Sequence, residues 1–228
     1  MSVEEITLAK RIQMFEESSI YPVVSPEFCN GRAVTDVVAA IMAGGAMILQ
    51  LRAKHLPDQE LYELAEQCRK LTAGRLLIID DRVDIALAAG ADGVHLGQSD
   101  LPVRVAKEIA PALLIGASTH NPDEILQAQK DGCGYLNIGP VYPTQTKEVP
   151  TGVVGLKNML EWRKLVKCPY SVMGGIKEHH LDELVAAGIR HIAMVTEITQ
   201  AGNVKEKVQR MQSSTRNLSG QAHSFDIL

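Results

Sequence analysis

The feature that most constrains this chain is an alternation that repeats eight times. Short runs rich in Val and Ile are each followed by a stretch with helical spacing. The runs predict strands over residues 20–24, 46–51, 75–79, 92–95, 112–116, 134–138, 169–173 and 190–195. The segments between and after them predict amphipathic helices near 32–43, 57–72, 82–89, 101–109, 121–131, 153–166, 178–187 and 202–212, with another at about 3–16. Strands alternating with helices form a parallel sheet, because each crossover lays a helix across it and buries both faces. Eight units and no ninth favour closure into a (β/α)₈ TIM barrel over an open doubly wound sheet. At 228 residues the chain holds one such domain. The barrel is expected over residues 1–212, with 213–228, Ser-rich and aperiodic, as a flexible C-terminal tail.

Only 4% of the residues are aromatic, so aliphatic side chains must fill the core. Basic and acidic residues nearly balance, 23 against 27, and no basic run or helix face stands out. That excludes a nucleic-acid footprint and requires any anionic ligand to be held by a few focused groups. No apolar run reaches 18 residues, which argues against a membrane span. Cys29, Cys68, Cys133 and Cys168 are widely separated with no C-x-x-C pair, so they are expected to be free thiols of a cytoplasmic protein. The sequence is compatible with a homo-oligomer and does not specify one.

In a parallel barrel, reactive groups belong at the carboxyl ends of the strands. Polar residues cluster there. After strand two, Gln50, Arg52 and Lys54 stand at i, i+2 and i+4 and share a face; cations pointing into a barrel mouth need an anion such as a diphosphate. Strand three runs into Asp80-Asp81-Arg82-Val83-Asp84, where carboxylates serve either as helix caps or as ligands for Mg²⁺. Asp100, after the strand that carries His95, is a further N-cap or a second metal ligand beside Asp81. Asn121-Pro122-Asp123-Glu124 reads as a helix start, leaving Ser118 and His120 on the mouth side of that cap. The Thr144-Gln145-Thr146-Lys147 loop offers hydroxyls and an ammonium to a phosphate. Gly174-Gly175 and the Val195-Thr196 turn offer backbone N–H groups to another.

Taken together, Gln50–Lys54, Asp81–Asp84, Gly93–Asp100, Gly139–Lys147 and Gly174–Ile176 resemble the thiamine phosphate synthase family over roughly residues 20–200. The resemblance implies a transferase that couples hydroxymethylpyrimidine pyrophosphate to thiazole phosphate and releases pyrophosphate, with Mg²⁺ as cofactor. It implies that Gln50, Arg52 and Lys54 hold the pyrimidine pyrophosphate, Lys147 the diphosphate, and Asp81 and Asp100 the metal. It implies that Ser118 sits near the reacting carbon, that Asp80 and His95 line the substrate site, and that Thr144, Thr146, Gly175, Val195 and Thr196 contact the thiazole phosphate. Arg52, Lys54, Ser118 and Lys147 would then carry the catalysis. Three positions depart from the family pattern: Asp80 replaces Asn, Ser25 replaces Asp, and Glu197 stands where a smaller residue is usual. The alternatives are a thiazole tautomerase, in which His120 transfers protons, and a non-catalytic phosphate-binding paralogue.

Overall fold

The computed structural model describes residues 6–144 and 152–222, with side chains as far as residue 215. Helix α1 (Leu8–Glu16) precedes eight strands: β1 (Ile20–Val24), β2 (Ile48–Leu51), β3 (Leu76–Asp80), β4 (Gly93–Leu96), β5 (Leu114–Thr119), β6 (Tyr135–Ile138), β7 (Tyr170–Val172) and β8 (Ile192–Met194). Between and after them run α2 (Val34–Ala43), α3 (Asp58–Leu71), α4 (Val83–Ala88), α5 (Val103–Ile109), α6 (Pro122–Lys130), α7 (Gly155–Trp162), α8 (Leu181–Ala186), α9 (Thr196–Thr199) and α10 (Val204–Ala222). All neighbouring strands pair in parallel, and β8 returns to β1, closing the barrel. No helix among the described residues is long and apolar enough to cross a membrane.

Side-chain alternation splits the core into two layers. Outward residues such as Leu49, Leu51, Leu77, Ile79, Leu136 and Ile138 pack beneath the helices. Inward residues Tyr21, Val23, Ile48, Leu76, Ile78, Leu114, Tyr135 and Ala193 fill the barrel, joined by Met14 and Phe15 of α1. Phe15 lies against Tyr135 with ring centroids 4.5 Å apart. Tyr135 fits because its neighbour across the ladder is Gly116, where a Cβ would fall 2.1 Å from Tyr135 Cζ. At the end opposite the mouth, Asp92 is gripped by Arg69 and approached by Arg11 Nε at 3.5 Å, and it accepts the Leu77 N–H at 2.9 Å.

The structure moves several expected boundaries. The helix expected over 153–166 ends as a 3₁₀ turn, Arg163–Leu165, and that over 178–187 begins as one, Glu178–His180. The final helix, expected over 202–212, continues to Ala222, into the segment read as a tail. Its buried stripe, Val204, Val208, Met211, Gln212 and Thr215, turns polar partway along, so the hydrophobic period fades while the helix does not.

Candidate active site

The carboxyl ends of the strands surround a cavity of about 680 Å³. The helix after β5 shows how local sequence fixes its rim. Asn121 accepts the Glu124 N–H at 2.9 Å, Pro122 opens the helix, and Glu124 Oε2 accepts from His120 N at 2.8 Å. His120 Nδ1 also lies 2.9 Å from that carboxylate, so His120 lines the cavity while held by Glu124.

Gln50, Arg52 and Lys54 project from the end of β2 into the cavity, as their spacing predicts. Each meets Asp80 at the end of β3. Gln50 Nε2 donates to Asp80 Oδ1 at 2.5 Å, Arg52 Nε stands 3.6 Å from Oδ2, and Lys54 Nζ 3.9 Å from it. Burial, reinforced by the neighbouring Asp81 charge, pushes the Asp80 carboxyl up to about 7 against the opposing pull of Lys54 and Arg52. Arg52 Nη1 also reaches Glu27 Oε1 at 3.1 Å and Ser25 Oγ at 3.3 Å. The carboxylate absent from position 25 is thus supplied two residues later, by Glu27.

Asp81 holds a left-handed backbone, φ 62°, which costs a non-glycine residue roughly 1–3 kcal/mol. Its Oδ2 lies 2.6 Å from Lys54 Nζ, and its carboxyl also hydrogen-bonds that of Asp100. Burial raises its pKa, Lys54 opposes, and Asp100 adds to the rise. Two carboxylates in hydrogen-bond contact must share a proton or a cation, and that donor set suits a hard divalent ion. Among the described residues no cluster of three or more His, Cys, Asp or Glu groups forms a metal cage. A pair fits Mg²⁺, which usually takes one or two carboxylates and completes its shell with water and substrate phosphate. Asp100 does not cap α5, whose N-cap is Pro102; its carboxylate instead folds back in the loop to accept the Gly97 N–H at 2.6 Å.

On the floor, Ser118 Oγ lies 2.9 Å from His95 Nε2. Gly174 and Gly175 follow β7 with φ 97° and 64°, and a Cβ on Gly175 would strike Pro143 O at 2.3 Å. The pair therefore seats the loop after β6 as well as exposing backbone to the cavity. Thr144, Gly175, Val195 and Thr196 line the same opening. Thr146 and Lys147 lie outside the described residues.

Glu197 is absent from the cavity lining and does not face a phosphate there. Lys207 Nζ holds it at 2.6 Å and Lys177 at 3.5 Å; burial acts to raise its pKa, but Lys207 outweighs burial and lowers it. Inspection of the motifs missed Asn137, Tyr21 and Tyr135. Asn137, one turn of the β6 alternation above Tyr135, lines the cavity at 1% exposure. Its amide donates to Met173 Sδ at 3.1 Å, and its Oδ1 has no partner among the described residues. The i, i+2 alternation of β6 was the signal that would have placed both residues inward.

A closed barrel with cations, carboxylates and glycine-lined backbone around one mouth defines a (β/α)₈ enzyme acting on phosphorylated small molecules. Residues 20–198 match the family model described as thiamine monophosphate synthase. The thiamine-phosphate synthase of Caldicellulosiruptor saccharolyticus is 38% identical over 206 residues, covering 89% of this chain and 93% of that one. That of Pyrococcus horikoshii is 41% identical over 177 residues, covering 77% and 85%. The solved thiamine phosphate pyrophosphorylase from Pyrococcus furiosus superposes with a TM-score of 0.83 at 34% identity, covering 90% of this chain and 98% of that one. The chain belongs to the thiamine monophosphate synthase family and is a transferase.

Proposed function

We propose that this transferase joins hydroxymethylpyrimidine pyrophosphate to thiazole phosphate, forming thiamine phosphate and releasing pyrophosphate. The observation that carries the reading is the rack of Gln50, Arg52 and Lys54 set against Asp80, Asp81 and Asp100 at one mouth. Arg52 and Lys54 bind the diphosphate and stabilise the charge it gains as the carbon–oxygen bond breaks and the electron pair leaves with it. The thiazole nitrogen then supplies the pair for the new carbon–nitrogen bond. Its phosphate is received by the opening that Thr144, Gly175, Val195 and Thr196 line; contacts of Thr146 with that phosphate and of Lys147 with the diphosphate are what the family resemblance implies. Ser118 and His95 sit beneath the reacting carbon. Asp81 and Asp100 would hold Mg²⁺, which when bound neutralises diphosphate charge. Little acid–base work is required, consistent with His120 being committed to Glu124. A cytoplasmic location is supported by four free cysteines.

The test is to mix the purified protein with Mg²⁺ and both substrates and to measure thiamine phosphate and pyrophosphate together. Equal amounts of both, abolished by a chelator and restored by Mg²⁺, are expected. Binding of thiazole phosphate without product would overturn the reading in favour of a tautomerase or a binding-only protein.

A further inference from the structure

A continuous chain of hydrogen bonds crosses the barrel floor beneath the substrate groups. Asp80 Oδ1 accepts from Gln50 Nε2 at 2.5 Å, Gln50 Oε1 accepts from Tyr21 Oη at 3.0 Å, and Tyr21 Oη lies 2.8 Å from Tyr135 Oη. Tyr135 Oη in turn lies 3.0 Å from His95 Nδ1, whose Nε2 lies 2.9 Å from Ser118 Oγ. Gln50, Tyr21 and Tyr135 are at most 2% exposed, and His95 is 4% exposed.

The direction of every hydrogen follows from the first link. Asp80 Oδ1 lies on the Gln50 Nε2 donor while Oδ2 faces the donors of Arg52 and Lys54, so with this carboxyl ionised Gln50 turns its NH₂ toward it. That leaves the Gln50 carbonyl to Tyr21, which spends its one hydrogen there. Burial, the leading cause, raises the pKa of both phenols, so each keeps a single hydrogen. Tyr135 must therefore donate to Tyr21, and only its oxygen lone pair remains for His95. In a neutral imidazole the hydrogen then sits on Nδ1 and Nε2 accepts.

We infer that Tyr21 and Tyr135 are positioning residues that hold His95 as the Nδ1–H tautomer, so that Ser118 gives its hydrogen to His95 Nε2 and turns its oxygen lone pairs into the cavity. The consequence for catalysis rests on the reaction proposed above. Lone pairs aimed at the carbon that loses pyrophosphate stabilise its positive charge, whereas a hydroxyl hydrogen aimed there opposes it.

The tautomer is read from ¹⁵N ring signals of the full chain labelled at histidine, at about pH 8.5, above the value of about 7 at which Asp80 gains its proton, with His95→Gln identifying the His95 signals. A protonated Nδ1 and unprotonated Nε2 are expected; an Nε2–H tautomer or an imidazolium overturns the inference. Tyr21→Phe and Tyr135→Phe keep both rings, and each is expected to switch His95 to Nε2–H. The first frees the Tyr135 hydrogen for Nδ1, and the second removes the Nδ1 acceptor. Each variant is expected to lower kcat ~10–100-fold, the loss usual for an outer partner that orients a site group, with Kd for inorganic pyrophosphate unchanged. A variant with the wild-type tautomer, or with the switched tautomer and wild-type kcat, overturns the positioning role. The ring signals need no substrate. A chain with the expected tautomer that makes no thiamine phosphate refutes the reaction and leaves the network standing.

Discussion

At the scale of single residues, the mouth concentrates charge that the fold alone does not need. Arg52 meets three partners, Ser25, Glu27 and Asp80, none of which repays its placement as well as a diphosphate would. Arg52→Ala is expected to lower kcat/KM by at least ~10²-fold, as loss of a charge-stabilising donor does; turnover near wild type would remove Arg52 from the mechanism. Asp81 trades stability for function, since its backbone is left-handed and its half-buried carboxyl stands near Asp80 and Asp100. Asp81→Asn, an amide that tolerates this backbone and carries no charge, is expected to keep or raise Tm and to lose at least ~10²-fold in turnover. A lower Tm would show that the Lys54 pair outweighs the burial of the carboxylate and its repulsion by Asp100. Asn137 reads the other way. Its buried Oδ1 lacks a partner among the described residues, so Asn137→Leu, similar in shape, is expected to leave Tm unchanged or raise it by a few degrees. Clear destabilisation in a thermal scan would mean that the oxygen is paired.

At the scale of elements, α1 closes the end of the barrel away from the substrates. Met14 and Phe15 enter the interior, and Arg11 of the same helix meets Asp92 beside Arg69. Removing one member of a buried ion cluster strands the others, so Asp92→Ala is expected to cost about 3–5 kcal/mol in urea denaturation. A loss under about 1 kcal/mol would mean that water reaches the arginines. At the far end of the chain, α10 brings Lys207 to Glu197 and Glu178. The helix that directly follows α9 thereby neutralises Glu197 from ten residues further along the chain, a pairing that β8 and its loop alone do not reveal.

At the scale of the whole molecule, stability depends on groups where α1, β1 and β8 meet. His191 is buried against Phe15 and donates from Nδ1 to Ser18 O at 2.6 Å; burial lowers its pKa below 6.5. The unfolded chain thus binds this proton at a higher pH than the folded one. His191 adds stability above the unfolded value that drains away as pH falls below about 6.5 toward the lower folded value. The stability difference between wild type and His191→Gln is expected to shrink as pH drops through that window. A difference constant with pH, measured by denaturant titration, would exclude the linkage. The eightfold alternation by itself determined the barrel and the order of its strands, because each crossover helix lays the next strand beside the last in parallel and eight such units close on themselves. It also brought Gln50, Arg52, Lys54, Asp80, Asp81 and Ser118 to one mouth, since strand ends are local facts. Tertiary structure decided the partners: Glu27 for Arg52, Lys207 for Glu197, Glu124 for His120, and the Tyr21–Tyr135 bridge between Gln50 and His95. Glu27 and Arg52 are 25 residues apart and Tyr21 and Tyr135 114, and even for the nearer pairs side-chain periodicity gives direction but not distance.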